Sequence, residues 1–151
     1  MMRNRHLLLL APALLMALTT QAQTPVPYRP GYTYKVETAI PNTEVYVSGQ
    51  RPFDANGNLV GAGDIAAQTQ QVFQNLQAAL AEFGMTFSNI KQVTYHLKGV
   101  TGQRDAVAEQ RVSNVSGLYL PRSTARIEAT KVIPQIISND VLIEVEVIAA
   151  K

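Results

Sequence analysis

Residues 141–149, close to the end of the chain, constrain the fold more than any other segment. Their side chains alternate between two faces, as they do along a β-strand. One face carries Val141, Ile143, Val145 and Val147, and the other carries Leu142, Glu144, Glu146 and Ile148. The aliphatic face predicts a surface buried in the core. The other face sets two carboxylates between apolar side chains that favour burial, so we expect it to meet another surface.

A cation precedes this strand in the sequence. Pro121 predicts an extended chain just before Arg122, and residues 123–133 are typical of another β-strand. An arginine at the beginning of a strand can bind a carboxylate through two parallel hydrogen bonds. Alternatively, Arg122 pairs with Glu144 or Glu128 on the surface and binds no ligand.

The N-terminus has the pattern of a secretory signal peptide, predicted over residues 1–22. Two arginines precede the apolar residues 7–18, and Ala22 ends a segment typical of a signal-peptidase site. The apolar stretch is short for a membrane span, although an uncleaved anchor is the alternative. We therefore expect one domain, residues 23–151, in a bacterial periplasm.

Charge and cysteine content narrow the classes of function. The chain has 13 Lys and Arg against 11 Asp and Glu, and the predicted signal peptide removes Arg3 and Arg5, which leaves 11 of each. A net charge near zero argues against binding of nucleic acid or an anionic membrane. The absence of cysteine excludes disulfide bonds and thiol catalysis, and it suits an exported protein.

The first half of the chain predicts a hairpin followed by a long helix. Strands are expected near residues 35–39 and 44–48, and a turn is expected at residues 54–58. Asp64 is a suitable N-cap and Gly84 a suitable left-handed C-cap for the helix between them. Its apolar positions are Ile65, Val72, Phe73, Leu76, Leu80 and Phe83. Its polar face, predicted to be solvated, carries Gln68, Gln70, Gln71, Gln74 and Gln77.

The second half predicts a strand over residues 92–98 and a second helix over residues 103–115. The apolar positions of this helix are Val107, Ala108, Val112 and Val115. The order β-β-α-β-α-β-β, with no glycine-rich phosphate loop, predicts an α+β fold rather than a dinucleotide-binding fold. If the helices cover one face of the sheet, the other face needs a cover, and self-association is the simplest one.

Taken in order, four segments resemble the RidA/YjgF family. They are Val45-Tyr46-Val47-Ser48-Gly49-Gln50, the helix at 64–83, Pro121-Arg122-Ser123-Thr124, and Ile143-Glu144-Val145-Glu146-Val147-Ile148-Ala149. The resemblance implies a chorismate mutase-like fold with both helices on one face of the sheet. It also implies a homotrimer with ligand clefts between subunits. The implied reaction is hydrolysis of 2-imino or 2-enamino acids to 2-oxo acids and ammonia, without metal or organic cofactor.

The resemblance also assigns roles to individual residues. Arg122 matches the arginine that binds the substrate carboxylate, and Glu144 matches the glutamate that orients or activates water. Glu146 is expected instead to form an ion pair between subunits. The other positions expected to contact substrate or shape the cleft are Tyr34 (with Tyr32 as the alternative), Ser48, Gly49, Ser123 and Thr124.

His96 is the only histidine outside the predicted signal peptide. Since neither a second imidazole nor a cysteine accompanies it, it is predicted to be structural rather than a metal ligand or a catalytic base.

Two features depart from the family pattern. Residues 130–139 predict a longer connection than usual before the last strand, and the second helix lacks an aromatic-rich end. An exported protein would also not meet imines made in the cytoplasm. These features favour, as the main alternative, a non-catalytic carboxylate-binding or chaperone-like trimer. A nuclease is a third hypothesis, which the balanced charge argues against.

Overall fold

The computed structural model describes residues 43–151. The predicted signal peptide, the predicted strand at 35–39 and Tyr34 lie outside these residues. The described elements are β1 (Glu44–Gln50), α1 (Ile65–Ala81), a short 3₁₀ helix (Phe87–Asn89), β2 (Ile90–Lys98), α2 (Ala106–Tyr119), β3 (Ile127–Ile133) and β4 (Ile143–Ala150). From β1 onward, this order confirms the predicted alternation of strands and helices.

The strands form one sheet in the order β1-β4-β2-β3. β4 pairs antiparallel with β1 and with β2, whereas β2 and β3 are parallel. The predicted alternation along the last strand is confirmed: Ile143, Val145 and Val147 are buried beneath the helices. The opposite face of the sheet carries Glu144 and Glu146, and we call it the open face because neither described helix covers it.

Helix α1 begins and ends where its sequence predicts. The Asp64 carboxylate accepts hydrogen bonds from the backbone N–H groups of Ala66 and Ala67, which satisfies donors that a first helical turn leaves free. Gly84 has a φ of 61°, the left-handed conformation that favours glycine after a helix. These caps fix the length of the helix against the sheet.

The prediction for Gln68 is wrong, because its side chain is fully buried rather than solvated. Its Nε2 donates to the carbonyls of Gly61 (3.1 Å) and Asp140 (2.6 Å), and its Oε1 accepts from the Leu142 N–H (2.8 Å). The amide donates to two carbonyl acceptors and accepts from one N–H donor, so its polar atoms all have partners and its burial costs little. Gln68 thereby ties α1 to the chain that leads into β4.

Helix α2 differs from its prediction in both position and apolar stripe. It begins at Ala106 and continues to Tyr119, after an N-cap at Asp105. Of the predicted stripe, Val112 is buried but Val107 is 65% exposed. The helix packs mainly through its second half, where the Tyr119 ring stacks on Phe73 of α1 at 5.2 Å. This contact holds both helices on the same face of the sheet.

The loops also refine the predictions. The turn at residues 54–58 is confirmed: the Asp54 carboxylate accepts from the N–H groups of Asn56 and Asn58. β3 ends at Ile133, where the sequence predicted, and residues 134–142 join it to β4, so the connection lies later in the chain than the predicted residues 130–139 and has a similar length. Within residues 43–151, no helix has the length and apolarity that crossing a bilayer requires.

Candidate functional site

The open face concentrates ionisable side chains around Glu144. Glu144 lies directly opposite His96 in the β2–β4 register, and Thr94 lies opposite Glu146. Arg51, just after β1, donates its Nε–H to Glu144 Oε2 at 2.6 Å. The Glu144 side chain is only 15% exposed, so the carboxylate is largely removed from solvent and keeps a charged partner.

A second pair lies beside the first. His96 Nε2 is 3.4 Å from Glu146 Oε1, within the same chain. This contact is an ion pair only when His96 is protonated, and the ion pair between subunits expected for Glu146 stays a prediction. The pKa of the nearby Tyr46 hydroxyl is raised, first by burial and then by the negative charge of Glu146.

His96, Glu144 and Glu146 are also the described residues that could hold a metal ion. One ligand atom from each lies within 4.8 Å of the others. An imidazole and two carboxylates suit several divalent metals. However, the Arg51 guanidinium already binds Glu144, and a fixed cation at that distance opposes a second one. The Arg51–Glu144 ion pair therefore argues against a metal ion at this cluster.

Ser48 and Gly49 lie at a bulge in β1. The β1–β4 register runs from Val47 opposite Val147 to Gln50 opposite Val145, so β1 contains one extra residue there. Gly49 has a φ of 70°, which a side chain would oppose. Ser48 is half-buried on the open face. Both predicted residues therefore lie along the strand that flanks β4 on the side of Arg51.

Arg122 lines a different surface. A cavity of about 550 Å³ opens between the second half of α2 and the beginning of β3, and Arg122, Arg126 and Glu128 contribute to it. Arg122 is exposed and, within residues 43–151, forms no ion pair with Glu144 or Glu128. Its guanidinium donors are therefore available to an anionic ligand.

The arginine at the beginning of the strand is Arg126, not Arg122 as the sequence predicted. Residues 122–124 form a turn, and β3 begins only at Ile127. Arg126 Nε lies 2.7 Å from Glu128 Oε1, and its Nη1 donates to the carbonyls of Pro121 and Thr124 at 2.8 and 3.3 Å. Arg126 therefore stabilises the turn formed by Arg122, Ser123 and Thr124.

Glu144 and the Arg122 cavity lie on opposite sides of the sheet. Glu128, which lines the cavity, pairs in register with Val93, whose side chain faces the helices. Glu144 faces the other way, and β2 separates β3 from β4, which adds two strand spacings or about 10 Å. A single chain therefore does not bring Arg122 and Glu144 to one small substrate.

Sequence reasoning missed Arg51 as a neighbour of Glu144. The two residues are 93 positions apart, and the contact depends on a bulge that no propensity predicts. The available signal was the Ser48-Gly49-Gln50 segment itself, since a glycine inside a strand often marks a bulge. That signal would have pointed to Arg51, the basic residue that follows the bulge, as a candidate site residue.

The fold and the open face define a class of small α+β proteins with one sheet face left uncovered by helices. Residues 27–151 match the family model described as Endoribonuclease L-PSP. The chain belongs to this family, which is the RidA/YjgF family that the sequence resembles.

Relatives and solved structures agree with this assignment. The chain is 33% identical over 107 residues to a RutC family protein of Pyrococcus abyssi, covering 71% of this chain and 78% of that protein. It is 31% identical over 126 residues to the 3-aminoacrylate deaminase RutC of Acinetobacter baylyi, covering 83% and 90%. The structure of YyfA from Yersinia pestis, a conserved Rid family protein of unknown function, superposes with a TM-score of 0.62 at 28% identity, covering 72% and 80%.

Proposed function

We propose that this protein hydrolyses reactive 2-imino or 2-enamino acids to 2-oxo acids and ammonia, without a cofactor. The observation that carries the proposal is the Glu144 carboxylate, mostly buried and held by Arg51 on the open face. Family membership supports the same class of reaction, because one relative is a 3-aminoacrylate deaminase and 3-aminoacrylate is itself an enamine carboxylate.

In the proposed reaction, Glu144 handles the protons. A water oxygen bonds to the imine carbon while Glu144 accepts one of its protons, and that proton passes to the nitrogen. The hydroxyl of the resulting carbinolamine then gives its proton to Glu144, which passes it to the amino group. As the C–O bond becomes a carbonyl, the C–N bond breaks, and ammonia and a 2-oxo acid are released. Because imines hydrolyse in water unaided, correct positioning of water and substrate can supply the required acceleration.

Arg122 would bind the substrate carboxylate, with Ser123 and Thr124 beside it. Since Arg122 and Glu144 lie on opposite sides of the sheet in one chain, we propose that a second copy supplies one of them. A cleft between copies, as in a homotrimer, would meet this requirement and would also cover the open face. Ser48 and Gly49 would then border the cleft from β1, with Tyr34 as a further candidate contact.

We also propose that residues 1–22 are removed on export to the periplasm. N-terminal sequencing of the protein from a periplasmic fraction tests this directly, and the expected first residue is Gln23. A sequence beginning at Met1 would contradict it. The substrate would then be an imine that is formed in, or reaches, that compartment.

The deaminase proposal is tested with an amino-acid oxidase that generates the imino acid in situ while semicarbazide traps it. The wild-type protein should lower the yield of the trapped imine, and Glu144→Gln should abolish this effect. Arg122→Ala should raise KM, because a charge-assisted bidentate contact is lost. Arg111→Ala removes an exposed arginine of α2 that does not line the Arg122 cavity, and it serves as the matched control.

The second candidate is a small-carboxylate-binding protein of the same fold without turnover. The placement of Arg122 and Glu144 on opposite sides of the sheet favours it, since carboxylate binding alone does not need Glu144. No acceleration with several imino acids, together with 2-oxobutanoate binding that Arg122→Ala removes, would select this candidate. Cleavage of RNA by the wild-type protein would instead support the nuclease hypothesis.

A further inference from the structure

The bulge in β1 determines which side chain meets Glu144. From Val47 opposite Val147, a regular antiparallel register would bring Gln50 opposite Glu144 and turn Arg51 toward the core. The bulge adds one residue, so Gln50 pairs with Val145 instead and is fully buried among core residues. Because successive side chains point to opposite faces, Arg51 then points to the open face, beside Glu144.

Helix α1 fixes the backbone of Arg51 from the other side. Asn75 Nδ2 donates to the carbonyls of Arg51 at 2.8 Å and Phe53 at 2.9 Å, and Gln71 Nε2 donates to Asn75 Oδ1 at 3.0 Å. The backbone of residue 51 is therefore anchored to a helix while its side chain crosses to the open face. A long arginine side chain with an anchored backbone loses less entropy on binding a partner than a free one does.

The contact leaves half of the Glu144 carboxylate available. Arg51 occupies Oε2, and within residues 43–151 no other hydrogen bond to Glu144 is formed. We infer that Arg51 is a positioning residue: it fixes the orientation of Glu144 so that Oε1 faces the attacking water. This inference rests on the proposed deaminase function and adds a residue to its machinery.

Other ionisable groups near Glu144 would reorient it if Arg51 were absent. Those on the open face are Tyr46 on β1, His96 on β2, Lys131 on β3 and Glu146 on β4. Glu146 repels Glu144, whereas His96 attracts it when protonated, so the carboxylate would move toward β2. Arg51 opposes this movement with a fixed hydrogen bond.

The kinetic test compares wild type with Arg51→Ala, Arg51→Lys and Asn75→Ala in the semicarbazide assay. Arg51→Ala should lower kcat by about 100-fold, the loss that misplacing a catalytic group by about 1 Å can cause, while KM stays close to the wild-type value. Arg51→Lys should recover part of kcat because it retains the charge. Asn75→Ala should cause a smaller loss in kcat because only the anchor is removed. Arg104→Ala, which removes an exposed arginine paired with Glu109, is the matched control.

Partial rescue by lysine separates positioning from a merely structural role. If Arg51 orients Glu144 through its charge, Arg51→Lys should retain more of kcat than Arg51→Ala, whereas a general loss of structure would lower kcat in both variants alike. Thermal unfolding and sedimentation would show whether each variant is folded and associates as wild type does. If both Arg51 variants unfold, kcat of Asn75→Ala is compared with that of wild type instead.

The outcomes distinguish this inference from the proposed function. An active wild type with unchanged kcat in Arg51→Ala would overturn the role of Arg51 and leave the deaminase proposal standing. A raised KM with unchanged kcat would overturn it too, because Arg51 would then bind substrate rather than position Glu144. An inactive wild type would overturn the deaminase proposal and the role of Arg51 together.

Discussion

Replacing Gln68 with leucine should destabilise the protein more than any surface substitution on α1. The side chain is fully buried and makes three hydrogen bonds, to Gly61, Asp140 and Leu142. Each such bond contributes about 1 kcal/mol net, so Gln68→Leu should lower the free energy of unfolding by about 3 kcal/mol. Leucine has a similar volume, which keeps the loss of packing small and isolates the polar contribution.

Urea unfolding followed by circular dichroism measures this loss, with Gln74→Leu as the matched control. Gln74 lies on the same helix and is exposed, so its substitution should change stability by no more than about 0.5 kcal/mol. Hydrogen exchange adds a local measurement, because the Leu142 N–H loses its acceptor and should exchange faster in Gln68→Leu. A loss below about 1 kcal/mol, with Leu142 still protected, would refute the conclusion that Gln68 joins α1 to β4.

Three further substitutions test the core, an ionisable group and a turn. Burial raises the pKa of Tyr95 from 10.0 to about 12, so its stabilising contribution is complete below pH 10 and lost as the pH rises to about 12. Tyr95→Phe should reduce the alkaline loss of stability by about 2 to 3 kcal/mol, measured by urea unfolding at several pH values, and an unchanged slope would contradict this. Phe73→Ala should cost about 3 to 5 kcal/mol, because the ring is fully buried against Tyr119; a loss below about 1 kcal/mol would mean that the site relaxes. Hydrogen bonds from Asn58 hold the pKa of Asp54 below 3.8, which an NMR titration should confirm, and Asp54→Ala should accelerate exchange of the Asn58 N–H.

Local sequence patterns predicted the parts of the fold that depend on near neighbours. Helix α1 followed from its capping residues and apolar spacing, and β4 followed from strict alternation. The α+β order and the family followed from the same segments. In each case the determining contacts lie within one or two turns of helix or within a single strand.

Contacts between distant segments were not predictable in the same way. Gln68 resembles the exposed glutamines around it, and only its position over the loop before β4 buries it. His96 was predicted to be structural because neither a second imidazole nor a cysteine accompanies it in the sequence. Cross-strand pairing nevertheless brings it close to Glu144 and Glu146. The strand after Pro121 was predicted four residues too early, because a turn and the first strand residues have similar composition here. The one-residue bulge in β1 brings Arg51 to the open face, and the later start of β3 puts Arg126 rather than Arg122 at the beginning of that strand.

The pairing of charges on the open face bears on how that face could be covered. A buried carboxylate without a partner is strongly destabilising, so an interface rarely forms over one. Here Arg51 neutralises Glu144 within its own chain, whereas His96, 3.4 Å from Glu146, supplies a positive charge only when it is protonated. A second copy could therefore cover Glu144 without supplying a counter-charge for it. In the proposed assembly, the Arg51–Glu144 ion pair would both orient the catalytic carboxylate and neutralise its charge at the interface. Loss of Arg51 would therefore misplace the base and leave an uncompensated charge where the copies meet. For that reason, association and kcat have to be measured on the same samples: a fall in kcat at unchanged association isolates the effect on Glu144, whereas a fall in both assigns the larger part to the interface.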